Sequence, residues 1–180
     1  MGQPVLTIGH SNHPLAEFLE MLKSHGVKVL VDVRTVPRSR HNPQFNREAL
    51  PQPLQAAGIE YVHMPGLGGL RHPQKDSRNT GWRNLSFRGY ADYMQTAEFE
   101  KNLGELLRLE EGRRVAIMCA ESVPLRCHRS MIADALTARG IAVRHILSAA
   151  RASEHKMTSF ARVEGDRVTY PPSDLELFAE

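Results

Sequence analysis

The chain is poor in cysteine, lysine, aromatic residues and long apolar runs, and the shortages are informative. Two cysteines in 180 residues, Cys119 and Cys127, cannot build a disulfide framework, so each must be weighed as a thiol. The apolar run Val115 to Ala120 is far shorter than the roughly 18 residues that cross a bilayer, so no membrane partner is expected. The opening MGQPVLTIGH lacks the charged-then-apolar plan of a signal peptide, and a soluble cytoplasmic protein is the expectation. With 41% hydrophobic and 24% charged residues, and no repeats, the composition is that of a globular domain. At this length one domain with one core is expected.

Lysine is scarce because arginine replaces it, with 18 Arg against 5 Lys. A planar guanidinium grips phosphate or carboxylate bidentately, which an ammonium does not. Net charge is only +3, but Val31 to Tyr90 holds nine basic residues against four acids. That third of the chain is where an anionic ligand is expected; a solvated basic surface would look the same by composition.

Gln3 to Ile8 reads as a strand ended by Gly9, and Leu15, Phe18, Leu19 and Leu22 fall at helical spacing. Val27 to Val33 is the near-continuous apolar strand of a parallel sheet. Arg47 to Ala57 suggests a helix started late by Pro51 and Pro53, and Ile59 to His63 a third strand. Met64 to Phe87, rich in glycine, suggests a long binding loop, a mobile lid or a disordered segment. Tyr90 to Leu109 has one long helical pattern, Arg114 to Cys119 a strand pattern, and a helix to about Arg139 precedes the last core strand, Ala142 to Leu147. A hairpin is expected to turn at Glu164-Gly165-Asp166. The predicted fold is therefore α/β: a single domain with a mainly parallel five-stranded sheet, helices on both faces, a core over about residues 3–147 and an extension over 148–180.

In such sheets ligands bind beyond the carboxyl ends of the strands. His10 and Ser11, Arg34, His63, and Cys119 with Glu121 all stand at predicted strand ends. The loop Cys119 to Arg129, sequence CAESVPLRCHR, leads from a buried strand into a helix N-terminus, where a thiolate or an anion is favoured. Three readings stay open for it. Cys119 is a nucleophile activated by Arg126, Arg129 or the helix; or Cys119, Cys127, His10, His63 and His128 hold a metal; or the thiols are core residues. As a nucleophile site it is similar to the strand-loop-helix cradles of rhodaneses and cysteine phosphatases. It departs from them in its Cys-x6-Arg spacing, its lack of glycine and the loss of a donor at Pro124. Arg34, Arg38 and Arg40 are candidate phosphate ligands, His63 and Glu121 candidate acids or bases, and Trp82, Phe87 and Tyr90 candidate stacking or core residues.

The set T-I-G-H-S (Thr7 to Ser11), V-D-V-R (Val31 to Arg34), P-R-S-R (Pro37 to Arg40), L-G-G (Leu67 to Gly69), F-R-G-Y-A-D-Y-M (Phe87 to Met94) and C-A-E-x5-C-H-R (Cys119 to Arg129) resembles domain-of-unknown-function family 488. The resemblance runs from about Leu6 to Ile146. It implies a compact α/β domain found mainly in bacteria and archaea and brings no settled reaction.

The leading expectation is an enzyme whose Cys119, Glu121, His10 and His63 act on a phosphate-bearing substrate, a nucleotide or nucleic acid. Ser11, Arg34, Arg38, Arg40, Arg126 and Arg129 are expected to bind it. The alternatives are a non-catalytic nucleic-acid-binding module with a basic face and a metal-binding protein. The cofactor, if any, is not specified by the residues.

Overall fold

The computed structural model describes residues 2–173. The chain opens with β1 (Val5–Gly9), α1 (Leu15–Ser24) and β2 (Val29–Asp32), then α2 (Pro51–Ala56) and β3 (Glu60–His63). Two helices follow, α3 (Leu85–Tyr93) and α4 (Ala97–Glu110), before β4 (Val115–Cys119), α5 (Arg129–Ala138) and β5 (Val143–Ile146). Short strands β6 (Ala152–Glu154), β7 (Arg162–Glu164) and β8 (Arg167–Thr169) close the described chain.

The main sheet has the order β3-β2-β4-β1-β5-β6, with the first five strands parallel and β6 antiparallel at the edge. It is thus six-stranded rather than five-stranded. Ala152 to Glu154 escapes a sequence reading because it is three largely exposed residues with no apolar alternation. The hairpin forms where expected, with Val163 opposite Val168. The final residues of the expected extension, 174–180, lie outside the described residues.

Right-handed crossovers put α1 and α2 on one face, where Phe18, Leu22 and Leu54 pack on Leu6, Ile8, Leu30, Ala116 and Met118. On the other face, Tyr90, Phe99, Leu103, Met131 and Leu136 pack on Val5, Val29, Val31, Val115 and Ile117. Each fully buried aliphatic or aromatic side chain contributes about 1.5–3 kcal/mol. The pattern expected as one helix over Tyr90 to Leu109 is broken at Thr96. Its backbone is extended and its hydroxyl accepts the Phe99 N–H at 3.2 Å, an N-cap that starts α4 afresh.

The glycine-rich loop is tied down rather than loose. Asp92, buried on α3, accepts from Gln74 N, Ser77 Oγ and Asn79 Nδ2 at 2.6–2.8 Å. Tyr93 Oη donates to the Gly66 carbonyl and Tyr90 Oη to that of Leu67. The extension docks too: Tyr170 is buried, and its hydroxyl donates to Asp134 of α5 at 2.7 Å.

Gly9, at the end of β1, lies against the backbone of Glu121 and Ser122, so the β4–α5 loop crosses where a Cβ would stand. Gly9→Ala is therefore expected to lose about 1–3 kcal/mol of stability or more, measured by urea unfolding, because it must displace backbone.

Candidate functional site

The direction of winding reverses around β4. Its neighbours β1 and β2 send their following helices to one face, while β4 sends α5 to the other. The loops beyond these strand ends diverge and leave a crevice, the usual ligand position in an open α/β sheet. A cleft of about 660 Å³ lies there, lined by His10, Ser11, Arg34, Arg38, Cys119, Glu121, Cys127 and His128 among others. The volume falls within the range of small-molecule sites.

The structure brings the two thiols together on the cleft floor, with Cys127 Sγ 2.7 Å from Cys119 Sγ. Hydrogen bonding from Cys127 lowers the Cys119 pKa to about 7, opposed by burial and helped by the charge of Arg129. The same bond, with burial, pushes the Cys127 thiol upward. The two shifts run in opposite directions, so Cys119 is the thiol of the pair that ionises first.

Arg129, the first residue of α5, is 1% exposed. Among the described residues Nη2 makes one long contact, 3.5 Å to the Ser122 carbonyl, and Nε and Nη1 have no hydrogen-bond partner. Buried cations are ordinarily paired, since several kcal/mol of hydration are lost. Arg34 is the ordinary case. Its Nε and Nη2 grip both oxygens of buried Asp32 at 2.9 and 2.7 Å, and Nη2 also donates to the Phe45 carbonyl. Nη1 donates to His10 Nε2 at 3.2 Å, which leaves one N–H of Arg34 for the cleft.

His10 is fixed as a neutral tautomer. Nε2 accepts from Arg34, so Nδ1 carries the proton and donates to the Ser11 carbonyl at 2.8 Å. Burial, more than Arg34, lowers its pKa to about 4. His128 is also held down to about 4 by burial, with Nε2 3.2 Å from the Val33 carbonyl. Glu121 lines the cleft, and its carboxylate accepts from Val123 N at 3.0 Å, so it shapes the loop as well.

Of the other expected site residues, Arg38 lines the cleft and is 73% exposed, with Glu48 at 3.8 Å. His63 does not line it; its Nε2 donates to the Arg34 carbonyl at 2.8 Å. Arg40 and Arg126 are exposed and outside the lining. Among the described residues no group of three or more His, Cys, Asp and Glu side chains is arranged to hold a metal. No helix there is long and apolar enough to cross a membrane.

Sequence reasoning missed Val36 and Leu70, exposed apolar residues on the cleft rim. It also missed that Ser11 and Leu70 are the only non-glycine residues with positive φ among the described residues, at 45° and 60°. Both line the cleft. Strain of about 1–3 kcal/mol at such positions gathers at functional sites. Neither feature has a signal in sequence.

A family model described as domain of unknown function DUF488 matches residues 14–136, a span that includes Arg34, Cys119, Cys127 and Arg129. No curated protein and no solved structure matches the chain.

Two predictions come from this geometry. Leu70→Gly is expected to raise stability by about 0.5–1 kcal/mol in urea unfolding, because Leu70 is 75% exposed and glycine carries no penalty at its φ. His10 and His145 are both buried, with pKa lowered from 6.5 to about 4 chiefly by burial. Between those values the unfolded chain binds more protons, so stability is lost as pH falls through the window. The expected loss, read from urea midpoints at pH 7 and pH 5, is roughly 1.4 kcal/mol per ring per pH unit.

Proposed function

The chain belongs to the DUF488 family, and we propose that it is a cysteine-dependent enzyme in which the Cys119 thiolate attacks an electrophilic centre of a small anionic substrate. The observation that carries this reading is the thiol pair on the cleft floor beside a buried guanidinium that has no counter-ion among the described residues. A thiolate is the nucleophilic form of cysteine, and cationic surroundings at a helix N-terminus favour it. Arg129 gains a counter-charge when Cys119 ionises, which offsets part of its own desolvation.

The remaining groups have matching tasks in this scheme. The free N–H of Arg34 and the exposed guanidinium of Arg38 bind a phosphate or carboxylate of the substrate at the cleft mouth. His10, neutral and locked, positions Arg34 rather than carrying charge. Glu121 shapes the loop that presents Cys119 and supplies a carboxylate to the lining for proton transfer. The cleft favours a single nucleotide-sized anion over a polynucleotide, because Arg40 and Arg126 lie outside it.

The test is the rate of Cys119 alkylation by iodoacetamide against pH, read by peptide mass spectrometry. Wild type is expected to give an apparent pKa near 7. Arg129→Met is expected to move it up by about one unit, towards the 8.5 of a free thiol, at unchanged or higher stability. An ordinary thiol pKa in the wild type overturns the proposal. So does single-stranded oligonucleotide binding that falls steeply with salt and is indifferent to Cys119→Ser.

A further inference from the structure

The proposed nucleophile uses one thiol of the pair, and the second calls for its own account. Cys127 is buried, lines the same cleft as Cys119, and stands at the mouth of α5 directly after the turn Pro124–Arg126. Its sulfur would need to travel less than an ångström, from 2.7 Å to the roughly 2.05 Å of a disulfide, to bond to its neighbour. A thiol kept only as a hydrogen-bond donor could be a serine. Resting on the reading of Cys119 as nucleophile, we infer that the two cysteines form a working dithiol that reduces small-molecule disulfides carrying an anionic group, with Cys127 as the resolving thiol.

The steps balance. The Cys119 thiolate attacks one sulfur of RS–SR, forming the Cys119–S–S–R mixed disulfide and releasing RS⁻, which takes a proton from water. Cys127 then attacks Cys119 Sγ; the Cys119–S–S–R bond breaks, the Cys119–Cys127 disulfide forms, and the second RS⁻ leaves with the proton that Cys127 gives up. The protein loses two electrons and two hydrogens, and the substrate becomes two thiols. An external dithiol, such as dithiothreitol, reverses the change in the protein and closes the cycle. Arg129 faces the sulfur that is anionic before the first step and again the leaving group when the protein is reduced.

The cleft also selects the class of disulfide. Cys119 and Cys127 are only 3% and 6% exposed and line a cleft of about 660 Å³, so the site suits a slender molecule rather than a disulfide held in a folded protein. Val36 and Leu70 supply apolar walls at the rim, and Arg34 and Arg38 supply positive charge. The site therefore suits a disulfide with apolar linkers and terminal carboxylates or phosphates, and disfavours a cationic one.

The experiment mixes reduced protein with oxidised glutathione, which is anionic, and in parallel with cystamine, which is cationic. Released thiol is counted and the protein is weighed by intact mass spectrometry. Wild type is expected to lose two hydrogens and release two thiols per chain. Cys127→Ser, which keeps a hydrogen-bond donor, is expected to stop as the glutathione adduct, decaying about 100-fold more slowly, since attack within one site outpaces attack from solution. Cys119→Ser should do neither, and oxidised glutathione should react about tenfold or more faster than cystamine. Thermal melts of both variants, and Cys119 alkylation in Cys127→Ser, establish that the folds and the nucleophile survive. A glutathione adduct that persists in the wild type overturns the inference while leaving the Cys119 nucleophile standing. So does inertness to both disulfides with Cys119 still titrating near 7. An inert Cys119 with an ordinary pKa removes both readings.

Discussion

A parallel strand returns to its sheet by a right-handed crossover in nearly all proteins, and that rule decides where this chain gathers its cleft residues. Because β4 lies between β1 and β2 but sends its helix to the opposite face, the loops after the three strands part and leave a gap over their carboxyl ends. His10 follows β1, Arg34 follows β2 and Cys119 ends β4, so the gap is lined from three directions by residues far apart in the chain. Gly9 allows the β4–α5 loop to close on β1, and the cleft floor depends on that contact.

Two buried arginines express opposite solutions to one electrostatic problem. Arg34 is neutralised by Asp32, which also accepts a hydrogen bond from Tyr61 Oη at 2.5 Å, and its guanidinium is a rigid part of the wall. Among the described residues Arg129 has no carboxylate partner, and the three N–H groups of its Nε and Nη1 are idle, so the positive potential it creates is left to act on its surroundings. It lowers the pKa of Cys119 and, less than burial does, those of His128 and His145. Neutral imidazoles around the cleft add no competing positive charge.

Behind the cleft a second network keeps α5 in place. Thr7 Oγ1 lies 2.6 Å from His145 Nδ1, His145 Nε2 lies 2.9 Å from His155 Nδ1, and His155 Nε2 reaches Asp134 at 2.7 Å. Thr158 and Tyr170 donate to the other Asp134 oxygen. The carboxylate thus ties β1, α5 and the extension together, and the helix that carries Arg129 is anchored at its middle. A buried network of this kind rigidifies when every member is satisfied.

Strand ends were legible because apolar runs such as Val115 to Cys119 stop at polar residues, and the α/β rule then groups His10, Arg34 and Cys119 on one edge. Local chemistry therefore determined the fold class, the sheet edge and the candidate nucleophile. Partnership did not follow from it. That Cys127 meets Cys119, that Arg129 goes unpaired while Arg34 is paired, that His63 turns away to the Arg34 carbonyl, and that Ser11 and Leu70 are strained are relations between distant segments. Burial and hydrogen bonding set charge state, and both exist only once the chain has folded, so tertiary structure decided the surroundings and the pKa shifts of these residues.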